Sequence, residues 1–117
     1  VTKPSLDKAV GTHQVGWISG AFLMAKKEAI DKAGMLDDSF FLYGEEVEWC
    51  YRLGKIGALE LYGNLSVVHL EGVNISNASG SVVNDYNHVF DKKGLQLMVS
   101  NHLLVRKVFG LSWCLFQ

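Results

Sequence analysis

The run Gly44-Glu45-Glu46-Val47-Glu48-Trp49-Cys50-Tyr51-Arg52-Leu53 is an amphipathic helix with one acid on the wrong side. At about 100° per residue, Glu45, Glu48, Arg52 and Lys55 share a face, at spacings that suit a solvated stripe of Glu–Arg and Glu–Lys pairs. Glu46 falls instead among Trp49, Cys50 and Leu53, on the face expected to turn inward. An ionised carboxylate there is costly unless it is paired, hydrogen-bonded or open to a cleft. Two readings follow. Glu46 is a first-turn acid, held by free backbone N–H groups and the helix dipole, or it faces a substrate cleft as a general base.

Around this helix the pattern is that of an α/β chain. Residues 15–24 are apolar and β-friendly and predict a buried strand. Residues 25–33 predict a short helix with Ala29, Ile30 and Ala33 inward and Gly34 as its C-terminal cap. Residues 35–43 form an aromatic-rich loop. The amphipathic helix spans 44–56 and stops at Gly57. Short strands are expected at 59–62 and 66–70, a polar loop at 73–81, a helix at 82–93, a break at Gly94, and a longer helix to Phe109. Beyond it, Leu111-Ser112-Trp113-Cys114-Leu115-Phe116 is an apolar tip too short to span a bilayer. Packing on the rest of the protein is its expected role; docking on a membrane surface and pairing with a second copy are the alternatives.

Length and composition exclude several classes. The 117 residues suffice for one domain, and 49% hydrophobic residues with 20% charged ones fit a globular core. A net charge of -1 gives no global field to recruit nucleic acid or an anionic membrane, and without a local basic stripe a nucleic-acid partner is not expected. Cys50 and Cys114, far apart and outside any CxxC pair, read as buried apolar residues of a reducing compartment. Three Asn-x-Ser triplets begin at Asn64, Asn74 and Asn77 and stay unmodified without export. A start at Val1, with no leader-like segment, reads as a piece of a longer protein. His69, at the end of the 66–70 strand, is either a hydrogen-bonded structural residue or a metal ligand through neutral imidazole.

Four segments, in order, resemble family 2 glycosyltransferases. Trp17-Ile18-Ser19-Gly20-Ala21-Phe22, followed by Lys26-Lys27-Glu28, is similar to the family's W-x-x-G-A-x strand with its basic pair and acid. Gly34-Met35-Leu36-Asp37-Asp38-Ser39-Phe40-Phe41-Leu42-Tyr43 resembles its G-G-F-D-E-x-F-F-x-Y loop. The helix resembles x-E-D-x-D-W-x-x-R, and Val67-Val68-His69 with Gly72 resembles V-x-H-x-x-G. The flavour is that of rhamnosyltransferase-like enzymes that build bacterial surface polysaccharide.

The resemblance implies a partial GT-A fold: a short mixed sheet with packed helices and a helical C-terminal tail. It covers the chain as a single domain, with a motif-bearing core at about 13–72 and the tail at about 82–117. It implies an inverting glycosyltransferase that moves a sugar from a nucleotide-sugar donor to a glycan or lipid-linked acceptor at the cytoplasmic face of a membrane. Glu46 takes the base position, with Glu45 beside it in the catalytic pair. Gly20, Trp17, Tyr43 and Trp49 are the substrate-binding candidates. His69 helps to hold a divalent metal, Mg or Mn, on the donor pyrophosphate. Glu stands at position 46 where the family usually has Asp, and no Asp-x-Asp motif occurs in the chain. By this reading the isolated segment lacks the donor half and does not turn over alone. A non-catalytic glycan-binding or assembly module that keeps the fold is the rival expectation.

Overall fold

The computed structural model describes residues 10–68 and 92–114. Among them the order is β1 (Thr12–Gln14), α1 (Lys27–Ala33), α2 (Glu45–Gly54), β2 (Glu60–Tyr62), α3 (Lys92–Phe109) and α4 (Leu111–Cys114). The molecule is thus mixed α/β. Among the described residues the sheet is a two-stranded antiparallel ribbon, with Thr12 opposite Tyr62 and Gln14 opposite Glu60, rather than the short mixed sheet expected.

The expected buried strand at 15–24 is not formed. Val15 N–H still donates to Leu59 O at 3.0 Å and extends the ribbon by one step. The chain then runs irregularly and turns at 20–21. Phe22 and Met24 are exposed. The apolar run has the composition of a strand but no partner strand among the described residues, and a strand without a ladder leaves its backbone groups unmatched. Residues 66–68 are likewise outside any strand. His69, Gly72, the polar loop at 73–81 and the helix expected at 82–93 fall wholly or largely outside the described residues.

The helices follow the sequence more closely. Helix α1 ends at Gly34, whose φ of 81° and N–H bond to Ile30 O at 2.7 Å complete the cap. Helix α2 starts from Gly44, at φ 88°, directly after Tyr43 at φ 68°. Two successive left-handed residues swing the chain into the helix, and for Tyr43 that conformation is strained. Helix α3 runs through Gly94 without the expected break, because a single glycine weakens a helix without ending it.

The buried apolar side chains among the described residues are Phe40, Cys50 and Leu53. They sit where α2 meets the aromatic loop and the 15–24 segment. Helix α3 docks on that loop through Ser100, which is 1% exposed and donates its hydroxyl to Leu42 O at 2.6 Å. Lys107 adds an ion pair with Asp37.

Candidate functional site

Helix α2 has two covered sides. On one side the chain crosses it at Ile18. Ile18 N–H donates to Cys50 Sγ at 3.4 Å, and the thiol points back at Ile18 O at 3.7 Å. Cys50 is fully buried. Burial pushes its thiol above the ordinary range; the Ile18 N–H opposes that shift, and the charge of nearby Glu46 adds to it. One turn back along α2, half-buried Glu46 lies against Gly20. A methyl added at Gly20 would sit 3.5 Å from Glu46 Cβ and 3.7 Å from Cγ. The turn at Gly20 therefore passes directly beside the carboxylate's stem with no side chain over it. Glu46 and Gly20, 26 residues apart in the chain, meet here.

The other side of α2 corrects the expected solvated stripe. Glu48 is 6% exposed, and its carboxylate is bound by Arg52 through Nε at 2.9 Å to both oxygens and through Nη2 at 2.7 Å. Arg52 also donates to Ala33 O and, at 2.8 Å, to Met35 O. Trp49 Nε1–H donates to the carbonyl between them, Gly34 O, at 2.8 Å. Three consecutive carbonyls at the end of α1 are thus answered by α2 side chains. Such carbonyls have no partner within their own helix, and a planar guanidinium serves two of them while gripping a carboxylate. Glu45 is half-buried rather than solvated. Its Oε2 is shut from water and has no hydrogen-bond partner among the described residues. Of the four residues of the stripe only Lys55 stays outside, with its ammonium 4.0 Å above the Tyr51 ring.

Trp17 and Tyr43 are half-buried. Trp17 lies on the same segment as Gly20, and Tyr43 precedes the first turn that carries Glu45 and Glu46. The structure thus gathers Gly20 and Glu46, leaves Trp49 tied to Gly34, and says nothing of His69. The Glu48–Arg52 pair is present as the helical spacing predicts; its burial and the hold of Arg52 on the carbonyls of residues 33 and 35 are what periodicity alone misses.

An open cavity of about 610 Å³ lies elsewhere, between Met35, Asp37, Glu48, Arg52 and Lys107. Its two cations are already matched, Arg52 by Glu48 and Lys107 by Asp37, so it presents no free positive charge to an anion. Among the described residues no group of three His, Cys, Asp or Glu side chains is placed to hold a metal ion. No described helix is long and apolar enough to cross a membrane.

No protein-family model matches the chain, and no solved structure matches it. Among curated proteins, it is 42% identical over 48 residues to the N-acetylglucosaminyl-diphospho-decaprenol L-rhamnosyltransferase of Mycobacterium tuberculosis, covering 41% of this chain and 16% of that protein; the match is the same in two strains. It is 26% identical over 107 residues to the low-salt glycan biosynthesis hexosyltransferase Agl10 of Haloferax volcanii, covering 77% of this chain and 35% of that protein. The chain spans well under half the length of either relative. It is therefore similar to proteins named as glycosyltransferases, at low identity or over part of its length.

Proposed function

We propose that this chain is the acceptor-side part of a family 2, GT-A type glycosyltransferase with Glu46 as its general base. The observation that carries the reading is the meeting of Glu46 and Gly20: a half-buried carboxylate at a helix N-terminus, beside a turn that has no side chain to cover it. The relatives named as rhamnosyl- and hexosyltransferases support the reaction class.

In this reading the acceptor hydroxyl approaches over Gly20 and gives its proton to Glu46. The oxygen attacks the anomeric carbon of the donor from the face opposite the nucleoside diphosphate; the bond from that carbon to the phosphate oxygen breaks, the nucleoside diphosphate leaves with its electron pair, and the configuration inverts. Glu46 lies in the first turn of α2, the end of a helix where the dipole favours an acid. Glu45 sits next to it as the first acid of the pair. Trp17, Tyr43 and Trp49 border the acceptor side, Trp49 with its N–H already committed to Gly34 O. The acceptor is a glycan or a lipid-linked glycan, met at the cytoplasmic face of a membrane.

A divalent metal, Mg or Mn, with His69 among its ligands, belongs to this reading for the donor pyrophosphate. The described residues do not by themselves make its site, and no step here is routed through it.

The test is Glu46→Gln in the full-length protein, assayed for sugar transfer from a nucleotide-sugar. Transfer should fall by about 10²–10⁴-fold, the usual worth of a general base, with an unchanged circular dichroism spectrum. Turnover near wild type would remove Glu46 from the chemistry. A wild-type protein that binds glycan but transfers nothing would favour the non-catalytic module.

A further inference from the structure

The outward face of α3 is apolar where a surface helix is normally polar. Leu95, Met98, Val99, His102, Arg106 and Phe109 fall within one narrow arc at 100° per residue, and all are exposed. Leu95 is 61% exposed and Phe109 64%. The opposite face carries Ser100, which docks on Leu42, and Lys107, which pairs with Asp37, so the stripe is not the side that faces the fold. At its end, Gly110 turns the chain at φ 88° into α4. There the Trp113 ring comes 6.4 Å from that of Phe109 and is itself 58% exposed, as is Leu111. The apolar strip therefore continues from α3 onto α4.

Charge selects what covers it. From residue 92 onward the chain holds Lys92, Lys93, Arg106 and Lys107 and not one Asp or Glu, although the whole chain has 12 acids; with Lys107 taken up by Asp37, Lys92, Lys93 and Arg106 have no acid beside them in this stretch of sequence. Arg106 lies within the exposed stripe itself. The net charge of -1 hides this separation, because every acid lies earlier in the chain. A second copy would bring a like-charged strip against this one. A surface that takes up Phe, Trp and Leu while meeting an excess of cations is the headgroup region of an anionic bilayer. We infer that α3 and α4 form a peripheral docking face that lies in the surface of an anionic phospholipid membrane, with Phe109, Leu111 and Trp113 inserted and Arg106 among the headgroups. This inference stands on the helix faces and the charge and does not depend on the transferase reading.

The test mixes the full chain with vesicles of phosphatidylcholine alone or with about one-third phosphatidylglycerol, and reads the bound fraction by co-sedimentation. Binding is expected to the mixed vesicles, to fall at high salt, and to be absent on phosphatidylcholine alone. Arg106→Ala should lose about fivefold in partitioning, the worth of one basic side chain at such a surface. Phe109→Ser with Trp113→Ser should lose more than about tenfold, with the helical circular dichroism retained because both rings lie outside the Ser100 and Phe40 contacts. If that double variant unfolds, Arg106→Ala decides the matter alone. No uptake by the mixed vesicles, equal uptake by both kinds, or unchanged uptake by the variants would overturn the inference. So would concentration-dependent sedimentation without vesicle binding, which would assign the strip to a second copy.

Discussion

Arg52 does more for this chain than its place on a solvated stripe suggests. It neutralises a buried carboxylate and closes two carbonyls at the end of α1. Arg52→Ala should destabilise the fold by about 3 kcal/mol, because it strands Glu48 as an unpaired buried charge. Arg52→Lys should recover only part of that, since one ammonium cannot span the carboxylate and both carbonyls. Urea unfolding of the three proteins checks both statements, and a loss under about 1 kcal/mol for the alanine variant would show that the clamp is dispensable. At this scale the inward position of Glu46 is readable from sequence, because a helix fixes the angle between residues whatever surrounds it. The burial of Glu48 is not. Its partner Arg52 sits beside it in the pattern, but the carbonyls that draw the pair inward belong to residues 33 and 35, whose path periodicity does not encode.

Among the elements, Gly34 and Gly44 mark helix boundaries where their sequence positions suggest, since both need a left-handed φ that other residues resist. The 15–24 run misleads for the opposite reason. Apolar, β-branched composition reports only that a segment prefers an extended, sheltered path; strand formation needs a neighbouring backbone, and composition does not supply one. The docking of α3 was also unreadable, because Ser100 and Lys107 reach the loop across 58 and 70 residues of chain. The Lys107 ammonium, and with it the Ser39 hydroxyl and N–H, holds the Asp37 carboxyl well below its ordinary value of 3.8. A carboxyl depressed on folding adds stability that is fully present above that ordinary value and fades as pH falls beneath it. Asp37→Asn should therefore destabilise the attachment of α3 by about 0.5–1 kcal/mol at neutral pH, the scale of a partly exposed pair. The difference from wild type should shrink steadily below about pH 4. Chemical denaturation at a series of pH values measures it, and a difference that is constant with pH would show that the ion pair is not its source.

On the scale of the whole molecule, the described residues form two helices locked end to side, a third tied on by a hydroxyl and an ion pair, and an apolar centre of Phe40, Cys50 and Leu53. Much large apolar surface remains exposed on the 15–24 segment, on residues 65–68 and along α3. The α3 strip has an occupant assigned by its charge. That charge was present in the sequence but invisible in the net figure, since the last acid is Asp91 and the stretch after it carries bases alone.

Cys50 gives this molecule an internal clock. Its sulfur is enclosed by the Ile18 peptide, on the same short stretch that carries Gly20 past Glu46. A thiol reagent reaches it only when that stretch lifts away, so in a Cys114→Ser background the alkylation rate counts how often the crossing over α2 comes open. Reaction as fast as that of a free thiol would mean that the crossing is hardly held at all. Slowing on addition of a sugar acceptor would show that the ligand clasps the very segment that passes over the Glu46 carboxylate.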